Sequence, residues 1–143
     1  MPAVLVDTSV LLDVLTEDPT WYPWSADALR RTAEHAVLVI NPIIYAEVSV
    51  RFETIEELED AIPAFMFQRR EVPWEAAFLA GKCFLKYRRA GGQRTTPLPD
   101  FFIGAHAAVE RLDLLTRDTV RYRAYFPAVQ LIAPEGIGRV RHR

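Results

Sequence analysis

Four acidic residues stand where the chain leaves an apolar run or enters the helix beyond it: Asp7, Glu47, Asp100 and Asp118. Asp7 directly follows Ala3-Val4-Leu5-Val6, and Asp118 lies two residues past Thr116, which ends Leu114-Leu115-Thr116. Glu47 falls less than two turns into a segment opened by Asn41-Pro42, and Asp100 follows Pro99. Carboxylates crowded together raise one another's pKa and cost stability. A hard divalent cation removes that cost, and Mg²⁺ and Mn²⁺ prefer oxygen ligands. Such an ion makes a bound water a stronger nucleophile and neutralises charge on a phosphoryl group. Carboxylates without His or Cys partners therefore point to phosphodiester chemistry rather than zinc peptidase chemistry. Each acid also has an ordinary structural reading. Asp7, Asp100 and Asp118 can cap the helices they precede, and Glu47 can pair with Arg51 four residues on.

The elements that must position these acids are legible as alternating strands and helices. Residues 3–6 and 37–40 read as buried strands, and residues 9–15 as a helix broken by Asp18-Pro19. Ser25 suits the N-cap of a helix running to about residue 35. Asn41 caps a helix with Pro42 at its first position. Thr54 and Glu57 have capping-box spacing for another. A short strand is expected near Glu71-Val72. A long helix then runs from Pro73-Trp74 to about residue 89 and closes at Gly91-Gly92. A helix from Asp100 to about residue 112 leads to the strand at 114–116. A short helix at 119–125 and a last strand at 129–132 follow. This alternation predicts an α/β domain with a mostly parallel sheet. In such sheets ligands bind beyond the carboxyl ends of the strands. The four acids sit at strand exits or on helices leaving them, so one shared acidic pocket is expected.

The strings around the acids carry a resemblance. VLVDTSVLLDVL at 4–15, NPIIYAEV at 41–48, PDFFIGAHAAVERLDLLTRD at 99–118 and FPAVQLI at 126–132 resemble a PIN-domain ribonuclease, more narrowly a VapC-type toxin of bacterial toxin–antitoxin pairs. The resemblance spans nearly the whole chain in the family's order. It implies a three-layer α/β/α sandwich, Mg²⁺ or Mn²⁺ as cofactor, endoribonuclease activity on a cellular RNA such as tRNA or rRNA, a cognate antitoxin and a homodimer. It places the catalytic acids at Asp7, Glu47, Asp100 and Asp118, with Asp7, Asp100 and Asp118 as metal ligands. It gives Thr8, Ser9 and Thr116 the task of hydrogen-bonding carboxylates or metal-bound water. Two other readings stay open: a non-catalytic RNA-binding or regulatory module on the same fold, and a nuclease of RNA processing without an antitoxin.

The remaining features bound these readings. The chain has 143 residues, half of them hydrophobic, and a net charge of −2. That fits one domain, residues 1–135, with a short basic tail at 136–143, and argues against a broad nucleic-acid-coating surface. A single cysteine, Cys83, precludes an internal disulfide, and the start shows no signal peptide or membrane span. A cytoplasmic protein is expected. Arg94, Arg117 and Arg121 flank the acids and are candidate RNA phosphate contacts, with a solvated helix face as the alternative. Trp21, Tyr22 and Trp24 suit either a partner groove or core packing. His106 lies six residues past Asp100, off its helical face.

Overall fold

The computed structural model describes residues 1–92 and 98–134. Arg94, His142 and the basic tail lie outside them. Five strands form one sheet in the order β3-β2-β1-β4-β5, every pair parallel. They are β1 (Ala3–Val6), β2 (Val37–Ile40), β3 (Gln68–Arg69), β4 (Asp113–Leu115) and β5 (Leu131–Ile132). The first two run through the centre, where a strand is covered on both faces and alternation gives way to continuous apolar residues. Val4, Leu5, Val6, Leu38, Val39 and Ile40 are all buried. The edge strands are two residues long, which leaves little ladder open to unwanted pairing.

Seven helices complete a three-layer α/β/α sandwich among the described residues: α1 (Thr8–Leu15), α2 (Tyr22–Ala33), α3 (Pro42–Ser49), α4 (Ile55–Ala61), α5 (Trp74–Arg89), α6 (Leu98–Glu110) and α7 (Val120–Tyr125). Local chemistry sets several of their ends. Asn41 accepts a hydrogen bond from the Ile44 N–H at 2.9 Å, and Thr54 caps α4 through the Glu57 N–H. Glu57 reaches back to the Glu53 N–H, one residue earlier than a standard capping box. Gly91, at φ +92°, takes the left-handed turn that closes α5. Gly104 on α6 gives the Phe126 ring its place, since a Cβ there would come within 2.4 Å of it.

Three expectations need correction. Ser25 does not cap α2 but lies inside it, fully buried, with its hydroxyl donating to Asp13 at 2.7 Å. The helix starts earlier because Asp18 accepts from the Thr20 and Trp21 N–H groups, turning the chain into Tyr22 and Pro23. The third strand is Gln68–Arg69 rather than residues near Glu71-Val72. Its two side chains are exposed, so no apolar signal marked it. The last strand is limited to Leu131–Ile132.

Candidate active site

Because all strands are parallel, one rim of the sheet collects every strand exit. β1 and β4 pair in register, Val6 beside Leu115, and the Asp7 N–H continues the ladder to the Leu115 carbonyl at 2.9 Å. The next residues on the two strands, Asp7 and Thr116, are thereby neighbours. Thr116 donates to the Asp7 carboxylate at 2.7 Å, Ser9 adds a bond at 3.0 Å, and Tyr122 donates to its other oxygen at 3.2 Å. Asp7 precedes α1 but makes no side-chain cap bond. Its carboxylate is committed to these three hydroxyls instead.

The other acids reach the same rim by different routes. Glu47, on α3, accepts a hydrogen bond from Thr8 and makes no ion pair with Arg51 among the described residues. Asp100 lies in the first turn of α6 and accepts from Arg121 at 2.8 Å. Asp118 sits in the β4–α7 loop, its backbone N–H held by the Thr116 hydroxyl at 3.0 Å. It caps nothing, because α7 starts after Thr119. All four acids line one cleft of about 310 Å³, together with Thr8, Ser9, Asp13, Asp18, Arg51 and Arg117.

Burial dominates the electrostatics. Asp7 is 4% exposed, and loss of water pushes its pKa up to about 6, against the pull of its hydroxyl donors and with a further push from Asp100. Burial likewise raises Glu47, opposed by Thr8 and assisted by Asp7. It raises Asp100 as well, although Arg121 pulls the other way. The site thus carries carboxylates that the fold alone does not fully stabilise in their charged form.

Two participants escaped the sequence reading. Asp13, 2% exposed on α1, accepts from Ser25 and from Arg117 Nε at 2.7 Å. Tyr122, buried beneath Asp7, was absent from every candidate set. Neither has a local signature, since Asp13 and Arg117 are separated by 104 positions and Tyr122 and Asp7 by 115. Arg117 also reaches Asp118 at 3.3 Å and covers the Trp21 ring at 5.3 Å. Trp24 packs against the core, and Tyr22 is 40% exposed. Two of the three aromatic candidates are therefore engaged within the chain. His106 is away from the cleft, buried between Asn41 at 2.9 Å and Glu110 at 3.1 Å. Cys83 is half-buried on α5 with a raised pKa, again through burial.

The family model of the PIN domain matches residues 4–127. This chain belongs to the PIN-domain family. PIN domains are generally divalent-metal-dependent nucleases, and the match includes all four acids. Among solved structures, it is similar to VapBC2 from Rickettsia felis bound to a promoter DNA fragment, with 17% identity and TM-score 0.68, covering 92% of this chain and 98% of that one. It is similar to FitAcB from Neisseria gonorrhoeae, with 18% identity and TM-score 0.68, covering 90% and 96%. A toxin–antitoxin complex from Klebsiella pneumoniae is 25% identical with TM-score 0.65, covering 88% and 94%. No functionally curated protein matches the sequence.

The donor set of this PIN-domain cleft suits a hard cation, because its acids and hydroxyls present only oxygen. Among the described residues no three His, Cys, Asp or Glu side chains are grouped closely enough to hold a metal ion. Asp100 gives one carboxylate oxygen to Arg121 and Glu47 gives one to Thr8, so each keeps a second oxygen for a ligand.

Proposed function

We propose that this chain is an Mg²⁺- or Mn²⁺-dependent endoribonuclease that acts as the toxin of a toxin–antitoxin pair, cleaving a cellular RNA such as tRNA or rRNA. The observation that carries the nuclease reading is the convergence of Asp7, Glu47, Asp100 and Asp118 on one cleft from four separate segments. The toxin reading draws on the described partners of its structural neighbours, which are toxin–antitoxin complexes. A small antitoxin is the partner this implies, and a homodimer and a cytoplasmic location accompany it. No helix among the described residues is long and apolar enough to cross a membrane.

Asp7, Asp100 and Asp118 are the residues to hold the cation, with Glu47 completing the cluster. When bound, the cation supplies a polarised water and neutralises charge on the phosphoryl group. The chain's own residues do the rest. Thr116 and Ser9 both donate to one oxygen of Asp7 and fix its orientation. Tyr122 holds the other oxygen from beneath and fills the floor against bulk water. Thr8 fixes Glu47 at the cleft wall, where burial raises its pKa and where it can accept a proton from an attacking water. Arg117, fastened to Asp13, brings a cation to the mouth where a phosphodiester must approach an acidic surface.

A second reading, a non-catalytic RNA-binding module, is favoured by the ion pair that Arg121 makes with Asp100. One experiment decides between them. The purified protein and Asp7→Asn are incubated with total RNA in Mn²⁺ or chelator. The nuclease reading expects Mn²⁺-dependent cleavage lost in the variant, and growth arrest on expression relieved by the same substitution. Equal RNA patterns with both folded proteins leave the module. Co-purification with the product of an adjacent small reading frame tests the partner, and light scattering tests the dimer.

A further inference from the structure

A second cavity, about 490 Å³, adjoins the acidic cleft and shares Asp100, Arg117 and Asp118 with it. Its other walls come from the end of α5 and from α7, notably Tyr87, Arg121 and Tyr125. The two tyrosine rings meet edge to face, with centroids 6.1 Å apart. Each also packs on the buried Phe101 ring, at 5.5 and 5.2 Å, so both are braced from below. The Arg121 guanidinium lies 5.5 Å from the centre of the Tyr87 ring while one nitrogen binds Asp100. A guanidinium has five N–H donors, and this bond occupies one of them. The cavity therefore joins aromatic surface and a held planar cation to the edge of an acidic site. Aromatic rings and arginine planes are the surfaces on which unpaired bases stack, and every base offers a face for it. The volume falls in the range of small-ligand pockets.

We propose that this cavity is the subsite for one unpaired nucleotide of the substrate, next to the phosphate presented to the acidic cleft. Its base packs along Tyr125 and the Arg121 guanidinium, with Tyr87, itself stacked on Phe84 and lying under Arg121, as their support. The proposal rests on the ribonuclease reading for its biological ligand, but its physical content is separable: the cavity takes a nucleoside. It also explains why α7 bears Arg121 on the side of Asp100. The same side chain neutralises that acid and lines the neighbouring base site.

The test uses adenosine, a neutral probe that the acidic cleft does not repel. In an NMR titration of the chelator-treated protein, adenosine shifts the ring resonances of Tyr87 and Tyr125 saturably, and inorganic phosphate does not. Arg121→Gln, at a partly exposed position, weakens adenosine by at least about fivefold. In Mn²⁺, Tyr125→Leu raises the KM for a single-stranded RNA oligomer by at least about fivefold with little change in kcat, the mark of binding lost equally in ground and transition states. Absence of saturable ring shifts, or an adenosine affinity unchanged by Arg121→Gln, overturns the proposal even if the protein cleaves RNA. Saturable ring shifts without any cleavage support the subsite and remove the nuclease reading.

Discussion

At the scale of single residues, Asp7, Asp100 and Asp118 were legible because they stand near element boundaries, which sequence encodes locally, and Glu47 because it lies within two turns of a well-marked helix start. Their partners were not. Asp13 sits in VLLDVL, where periodicity marks an apolar stripe and says nothing of Ser25 or Arg117. Removing the Asp13 carboxylate takes the acceptor from a buried Ser25 hydroxyl and the shorter of its two ion pairs from Arg117, which keeps only the exposed Asp118. Asp13→Ala is therefore expected to cost about 3 kcal/mol in a denaturant melt; a loss near zero would mean Arg117 finds another partner. Asp7 behaves in the opposite sense. Its pKa is raised in the fold to about 6 from 3.8, so its stabilising contribution is complete below 3.8 and lost as pH rises through 6. Above that, the charged form costs on the order of 3 kcal/mol. Asp7→Asn keeps the shape and sheds that cost. In chelator it should melt above wild type at pH 8, with the gap closing toward pH 4. A variant that melts below wild type at pH 8 would show that the three hydroxyl bonds outweigh desolvation.

Whole elements are coupled through a buried histidine. The Asn41 oxygen caps α3, which leaves its NH₂ to donate to His106 Nδ1 and makes Nε2 the protonated nitrogen, facing Glu110. Glu110 is also paired with Arg70 at 3.2 Å. The network ties the helix bearing Glu47 to the helix bearing Asp100, so His106, set aside as off the acidic face, positions both. Burial lowers its pKa from 6.5, against the pull of Glu110. The stability this contributes is present above pH 6.5 and lost as pH falls through the lowered folded value, because a proton on Nδ1 would meet the Asn41 NH₂. His106→Ala should lose about 3 kcal/mol at pH 7.5, from the cavity and from the stranded Asn41 amide. Its stability should also fall less steeply than wild type's between pH 6.5 and 5. Equal slopes in denaturant melts at three pH values would remove His106 from the acid limb. Such a network is invisible in sequence because Asn41 and His106 are 65 positions apart.

For the molecule as a whole, alternation of apolar strands and helices was enough to give a parallel sheet, and parallel strands were enough to bring the acids to one rim. Strand order was not legible, since it depends on pairings between distant segments, and β3 was misplaced because an edge strand of two exposed residues carries no apolar pattern. What the fold does at that rim is hold negative charge against its own desolvation, which would link the proposed cation to folding. A divalent ion that binds only the folded state stabilises it by RT ln(1 + [L]/Kd), about 1.4 kcal/mol at ten times Kd, or roughly 3–8 °C in a domain of this size. Asp7 must give up its proton to serve as a ligand, and its folded pKa is about 6. The apparent Kd for Mn²⁺ should therefore be nearly independent of pH above 7 and weaken by about tenfold for each unit below 6. A fixed Mn²⁺ concentration that raises the melting temperature at pH 8 should do little at pH 5. In Asp100→Asn the Mn²⁺ shift should shrink at pH 8, while the chelator-treated variant melts higher than wild type, because burial outweighs Arg121 at that acid. Thermal melts of both proteins at pH 5 and 8, with chelator and with Mn²⁺, measure all of these at once. An Mn²⁺ shift of equal size at both pH values would place the ion away from Asp7, and an equal shift in both proteins would place it away from Asp100.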